Sequence, residues 1–253
     1  MNTRMPVLFV GHGSPMNALE NNDWTRHLKE LGTTLPRPRG VVCVSAHWLT
    51  QGTRHLHVPR PSTVHDFHGF PTELHNIEYP APGLLLPELD WARPDTQWGF
   101  DHGAWSVLRH MYPEADIPVT QISLDRRLNM REHLVLGSRL RPFRDQNLLV
   151  VATGNITHNL REVDFSPRAP VRAWAREFDQ RARDALLRRD LNWLCALEGA
   201  DQAMWEKAHP TPEHWWPLLY TVGATDENDR VSFPFEDIQN GSLAMRTVLY
   251  QSN

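Results

Sequence analysis

Lysine is almost missing from this chain. Lys29 and Lys207 are the only two in 253 residues, so nearly all of the 26 basic side chains are arginines. Mixed with 30 acidic residues, they leave a formal charge of -4 and no basic stripe suited to a phosphate backbone. A nucleic-acid partner is therefore not expected. Cysteine is equally scarce: Cys43 in VVCVSAHW and Cys195 in NWLCAL lack CxxC spacing and sit in apolar surroundings, so both read as buried free thiols. No apolar stretch approaches the ~18 uninterrupted residues of a membrane span, and the start of the chain has no signal-peptide pattern. These absences predict a soluble, cytoplasmic protein without a membrane partner.

Linkers, charge blocks, low-complexity tracts and fixed-period repeats are also lacking, which predicts a single domain over residues 1–253. Several common catalytic signatures are missing too. There is no G-x-x-x-x-G-K-[ST] or G-x-G-x-x-G loop to cradle phosphates, no HExxH, and neither Ser14 nor Ser45 stands in G-x-S-x-G.

What the chain does have is a set of short, nearly continuous apolar runs, each ending in an unusual polar group. VLFV (7–10) ends at GHGS, VVCVSA (41–46) at His47-Trp48, PVTQISL (118–124) at Asp125, and LLVVATG (148–154) at NITHN. Such runs suit strands covered on both faces, while NMREHLVLGSRLRPF and VRAWAREFDQRARDALLRR carry helical spacing, the second aligning Trp174, Phe178, Ala182 and Leu186. The fold class predicted is α/β, with a central, mostly parallel or mixed sheet flanked by helices. Residues 59–100, rich in Pro, Gly, His and aromatics, show no sustained period and read as the covering of a pocket.

Fourteen histidines is a high count, and location must select among them. His27, His55, His57, His110 and His133 read as surface or helix-face residues. His12, His47 and His158 each follow a presumed strand, where ligands of open α/β sheets collect, and imidazoles gathered there can bind a divalent metal. For any one of them alone, a structural or capping role is the leading reading; it is the repeated placement that favours a metal site. His214, in HPTPEHWWPLLY, falls in a first helical turn with Thr211 as N-cap and Pro212 at N1. Its neighbourhood allows either a ligand or a satisfied first-turn histidine. In HDFHGFP (65–71) and WGFDHGAW (98–105), Asp66 can orient His65 or another imidazole and Asp101 can act near His102, as carboxylates beside metal-binding histidines do. The nearby aromatics Phe67, Phe70, Trp98, Phe100 and Trp105 suit either a pocket wall or the core.

Taken together, GHGSPM, SAHW, HDFHGFP, WGFDHGAW, GNITHNL and TPEHWWPLLY resemble the 4,5-DOPA extradiol dioxygenase family of class III ring-cleaving dioxygenases, which is similar to the catalytic subunit of protocatechuate 4,5-dioxygenase. The resemblance runs from about residue 5 to 250. It implies one α/β catalytic domain with a metal at one sheet edge, and cleavage of a catechol such as DOPA by O2 at non-haem Fe(II). It also implies His12, His47 and His214 as metal ligands and His158 as the catalytic acid/base and a possible addition to the metal shell. His65, Asp66, Asp101 and His102 then become supporting or substrate-binding candidates. Three imidazoles form a nitrogen-rich set that also suits Zn(II). The small-molecule partners implied are a catechol and O2, and a monomer suffices. Two other readings stay open at this point: a metal-dependent hydrolase, and a non-catalytic metal-binding or interaction protein on the same scaffold.

Overall fold

The computed structural model describes residues 4–166, 169–196 and 200–252. The strands are β1 (Val7–Gly11), β2 (Gly40–Thr50), β3 (Arg54–Leu56), β4 (Arg93–Asp95), β5 (Val119–Asp125), β6 (Leu148–Gly154), β7 (Asp229–Phe235), β8 (Ile238–Gln239), β9 (Leu243–Ala244) and β10 (Thr247–Ser252). All but β8 and β9 join one sheet in the order β4-β3-β5-β2-β6-β1-β10-β7. Its centre, β5-β2-β6-β1, is parallel, and antiparallel pairs flank it through β3 and β10. The apolar runs of β1, β5 and β6 are buried at every position, as strands covered on both faces must be.

Helices α1 (Asp23–Thr34), α2 (Thr72–His75), α3 (His102–Met111), α4 (Met130–Gly137), α5 (Arg141–Asp145), α6 (Ala173–Arg188), α7 (Leu191–Ala196), α8 (Ala200–Ala208) and α9 (Trp216–Gly223) complete the layers. One apolar cluster packs Trp24, Leu28, Trp105 and Leu108 of α1 and α3 against Val10, Cys43 and Val151. The other packs Phe178, Ala182 and Leu186 of α6 and Leu218 and Leu219 of α9 against Phe9, Val44 and Ala152.

Several details differ from the sequence reading. The strand containing VVCVSA does not stop at His47; β2 runs on to Thr50, and its pairing with β5 shifts register between Val44 and Leu49. An irregularity of this kind re-aims side chains, and His47 lies within it. The NMREHLVLGSRLRPF helix is split into α4, a 3-10 turn Ser138–Leu140 and α5. Thr211 makes no side-chain cap: its hydroxyl goes to Glu213, His214 ends a 3-10 turn Pro212–His214, and Pro217 sits harmlessly in the first turn of α9. His55 and His133 are buried rather than superficial, His133 stacking on Trp216 with ring centroids 4.4 Å apart. Cys43 is buried and Cys195 half-buried, and both are free. Phe100 and Trp105 belong to the core.

Candidate active site

The parallel register places the site. Val10 pairs with Thr153, and Thr153 with Ser45, so one row crosses β1, β6 and β2. His12 stands two residues beyond this row, just past the end of β1, and His47 two residues beyond it within β2. The backbone keeps them there, because His12 N donates to Gly154 O at 3.0 Å and His47 N to Ser45 Oγ at 3.2 Å. Gly13, at φ +61°, then turns the chain out of the sheet in a conformation that disfavours side chains.

The other two histidines come from the segment that follows β6 and from the turn before α9. Asn155 N donates to His214 O at 3.0 Å, which lays the turn carrying His214 directly over the strand end. A Cβ on Gly154 would stand 2.2 Å from that carbonyl, so only glycine admits the approach. The segment after β6 is tied down on both flanks: His158 N donates to Ala208 O, Thr157 Oγ1 to Ser242 O, and Asn159 Nδ2 to Lys207 O. These bonds set the His158 ring parallel to that of His214, with centroids 3.4 Å apart.

The nitrogens converge. Nε2 of His12 and Nε2 of His47 are 3.1 Å apart, a span that two ligands with metal–nitrogen distances of about 2.1 Å can share. The His214 ring centroid lies 5.4 Å from that of His12 and 5.0 Å from that of His47. Its Nδ1 donates to Glu213 Oε1 at 3.0 Å, leaving Nε2 buried without a partner. A buried acceptor with no donor costs stability, and a divalent cation would satisfy it. A carboxylate behind the ring is also how ligating histidines are held. The residues present therefore fit a divalent metal.

Asp66 and His102 complete the arrangement. Oδ2 of Asp66 lies 3.1 Å from His47 Nδ1 and 3.0 Å from His102 Nδ1, while Oδ1 accepts from His102 N. A carboxylate can only accept, so Asp66 favours Nδ1–H on His47 and turns its Nε2 lone pair toward His12. His12, His47 and His102 can each offer one ligand atom within 4.8 Å of the others, and His158, Glu213 and His214 form a second such group. His102 thus stands closer to the His12–His47 pair than its motif in the sequence suggested.

Electrostatics follow burial. Burial first, then repulsion from neighbouring imidazoles, pushes His12 and His214 well below the ordinary histidine value. His102 is lowered by burial and by His47, against the opposing pull of Asp66. Burial also opposes charge on His47, but Asp66 and the field of Asp101 win and raise it. Asp66 is the reverse case, since burial would raise its carboxyl while His102 and His47 hold it well below the usual carboxylate range. His158 is pushed down to about 3 by burial, with His47 and His102 adding to the effect. Its buried seat against His214 makes it a neutral acceptor.

These groups face a cavity of about 650 Å³, a size suited to a small ligand. His12, His47, Asp66, His102, His158 and His214 line it, and Phe67 and Phe70 bring in the irregular middle segment as a wall. Two candidates fall elsewhere. His65 lies in a separate hollow of about 400 Å³ with His75 and Glu78, its Nε2 against Ile77 O. Asp101 is fully buried beneath the site, where it accepts from Ser45 Oγ and Gln121 Nε2 and caps α3 through Ala104 N. It positions the helix that presents His102 and does not meet the imidazole. Trp98 stacks on Trp48 at 5.8 Å beside another hollow. Glu213 was not singled out from the sequence, although its place directly before His214 was the available signal.

Comparison with known proteins agrees with this geometry. Residues 12–244 match the family described as the catalytic LigB subunit of aromatic ring-opening dioxygenase. The chain is 42% identical to the 4,5-DOPA dioxygenase extradiol of Escherichia coli K12, over 97% of this chain and 94% of that protein. It is 31% identical to the 4,5-DOPA dioxygenase extradiol of Beta vulgaris, over 97% and 96%. A solved structure from Escherichia coli K12, described as an uncharacterized protein, superposes with a TM-score of 0.76 at 38% identity, covering 97% of this chain and 99% of that one.

Proposed function

This chain belongs to the family of the catalytic LigB subunit of aromatic ring-opening dioxygenases, and from that premise we propose that it opens the ring of a catechol such as DOPA beside its hydroxyl pair. It is an extradiol dioxygenase with a mononuclear metal site. The observation that carries the finer reading is the meeting of four imidazoles, His12, His47, His158 and His214, in one cavity.

His12, His47 and His214 hold the metal, Fe(II) in the active form. Zn(II) suits the same nitrogen set but is redox-inert. When bound, Fe(II) supplies the electron route between catechol and O2. The side chains do the rest. Glu213 and Asp66 fix the His214 and His47 rings so that their Nε2 lone pairs face inward. Phe67 and Phe70 form an apolar wall for the arene. His158, neutral and parallel to His214, takes a hydroxyl proton from the catechol at a ring nitrogen and returns it as the ring opens. The overall change adds both atoms of O2 to the catechol, leaving an aldehyde and a carboxylic acid on the opened chain. One catalytic unit over residues 1–253 contains every group used, so a monomer suffices. Among the described residues no helix is long and apolar enough to cross a membrane, and we place the enzyme in the cytoplasm.

Anaerobic Fe(II) loading, followed by a catechol panel with O2 uptake and product spectra, tests the reading. Uptake coupled to a ring-opened product supports it; no uptake with iron bound favours a hydrolase or a binding protein.

A further inference from the structure

The ionisable groups of the active-site cavity are already committed, with one exception. Asp66 faces His47 and His102, Glu213 faces His214, and the imidazoles face one another. The exception is Arg161. Arg161 is exposed and lines the cavity, and among the described residues its side chain forms no ion pair or hydrogen bond. The adjacent carboxylate is turned elsewhere, since Glu162 faces Arg172 and Lys207 at 3.9 Å each.

The backbone of Arg161 is nevertheless fixed. Asn159 Oδ1 accepts from Arg161 N at 3.0 Å, Asn159 O accepts from Glu162 N, and Asn159 Nδ2 is anchored on Lys207 O. Arg161 therefore follows His158 on one short, tethered turn, the histidine facing the interior and the arginine nearer the solvent. Leu160 and Phe165, strongly exposed at 66% and 76%, flank it at the rim of the same cavity. An arene seated against Phe67 with a tail leading outward would thus pass apolar side chains and meet a fork of unpaired donors. A carboxylate matches that fork with two parallel hydrogen bonds; an ammonium would be repelled.

We infer that Arg161 determines specificity by binding a carboxylate at the end of the catechol's side chain. This rests on the ring-cleavage reading above and names its substrate class: catechols with an anionic tail. Arg161 does not touch the reacting atoms, so its effect falls on KM rather than on kcat.

The test uses the Fe(II)-loaded enzyme and two catechols that differ in the tail, 3-(3,4-dihydroxyphenyl)propionate and 4-ethylcatechol. Arg161→Gln is expected to lower kcat/KM for the propionate about tenfold, mostly through KM, and to leave 4-ethylcatechol within about twofold, with Arg161→Lys recovering part of the loss. Equal losses on both catechols, or none on the propionate, would overturn the assignment. Anaerobic titration followed by tryptophan fluorescence separates this claim from the reaction itself. The wild type should bind the propionate about tenfold more tightly than 4-ethylcatechol, and Arg161→Gln should erase the preference. Absence of turnover with that preference present would sink the ring-cleavage reading alone, whereas absence of the preference would sink the role of Arg161.

Discussion

The rings of His158 and His214 lie parallel, 6° from coplanar orientation and 3.4 Å apart between centroids. Two imidazoles cannot both be charged at that separation, and burial keeps each neutral. One is then free to coordinate through the lone pair that Glu213 leaves open, and the other to accept a proton from whatever is bound beside it.

This division of labour separates two variants. His158→Gln should retain about one metal per chain and lose about a hundredfold or more in kcat, the usual size of a general-base contribution. His214→Gln should lose the metal. Metal content by elemental analysis alongside turnover decides the matter, and loss of metal from His158→Gln would move His158 into the ligand set.

Asp66 is a second point of leverage, because one carboxylate oxygen serves both His47 and His102. Asp66→Asn keeps the shape but removes the negative charge and one acceptor. Metal affinity should drop about tenfold to a hundredfold, as it does when a carboxylate behind a ligating histidine is removed. An unchanged dissociation constant in competition with a chromophoric chelator would show that Asp66 orients neither ring.

His102 poses the sharpest question about the ligand set. It can place a nitrogen within 4.8 Å of ligand atoms on both His12 and His47, yet its Nδ1 lies 3.0 Å from Asp66 Oδ2. With His214 as third ligand, His102 becomes a neighbour of the metal. His102→Gln should keep metal stoichiometry, with activity reduced through a disturbed Asp66. A metal-free His102→Gln beside a fully loaded His214→Gln would exchange the two assignments.

Acid stability follows from histidines outside the site. Burial holds His133 down to about 4, against roughly 6.5 in an unfolded chain. The folded value is the lower one, so below pH ~6.5 the unfolded chain binds a proton that the folded chain refuses. Stability therefore falls as the pH drops, by up to about 1.4 kcal/mol per pH unit for this ring, and levels off below about 4. His209, buried and pushed down to about 3, extends the loss further. Urea midpoints of metal-free protein across this range should decline less steeply in His133→Gln than in the wild type. Identical slopes would contradict the role of this ring.

Much of the site was legible in the sequence, for a physical reason. His12 and His158 follow apolar runs whose parallel strands bring such exits to one edge, and His47 ends such a run although β2 continues past it to Thr50. The wall formed by Phe67 and Phe70 was legible in the irregular composition around them. What could not be read was anything that depends on how close two separate segments come. The sharing of Asp66 between His47 and His102 requires α3 to dock beside β2, and no local pattern encodes that distance. His65, next to Asp66 in the same motif, turns away because Ile77 O offers its Nε2 a partner. His55 and His133 look polar in the chain but are enclosed by packing that their neighbours alone do not announce.

The central claim is that the four imidazoles around this cavity support the opening of a catechol ring by O2. Mass spectrometry of the product formed under isotopically labelled O2, with the aldehyde trapped by borohydride as it forms, tests it most directly. The expected result is a ring-opened product that carries both oxygen atoms of one O2 molecule. An intact ring, or an opened product whose new oxygens come only from water, would contradict it.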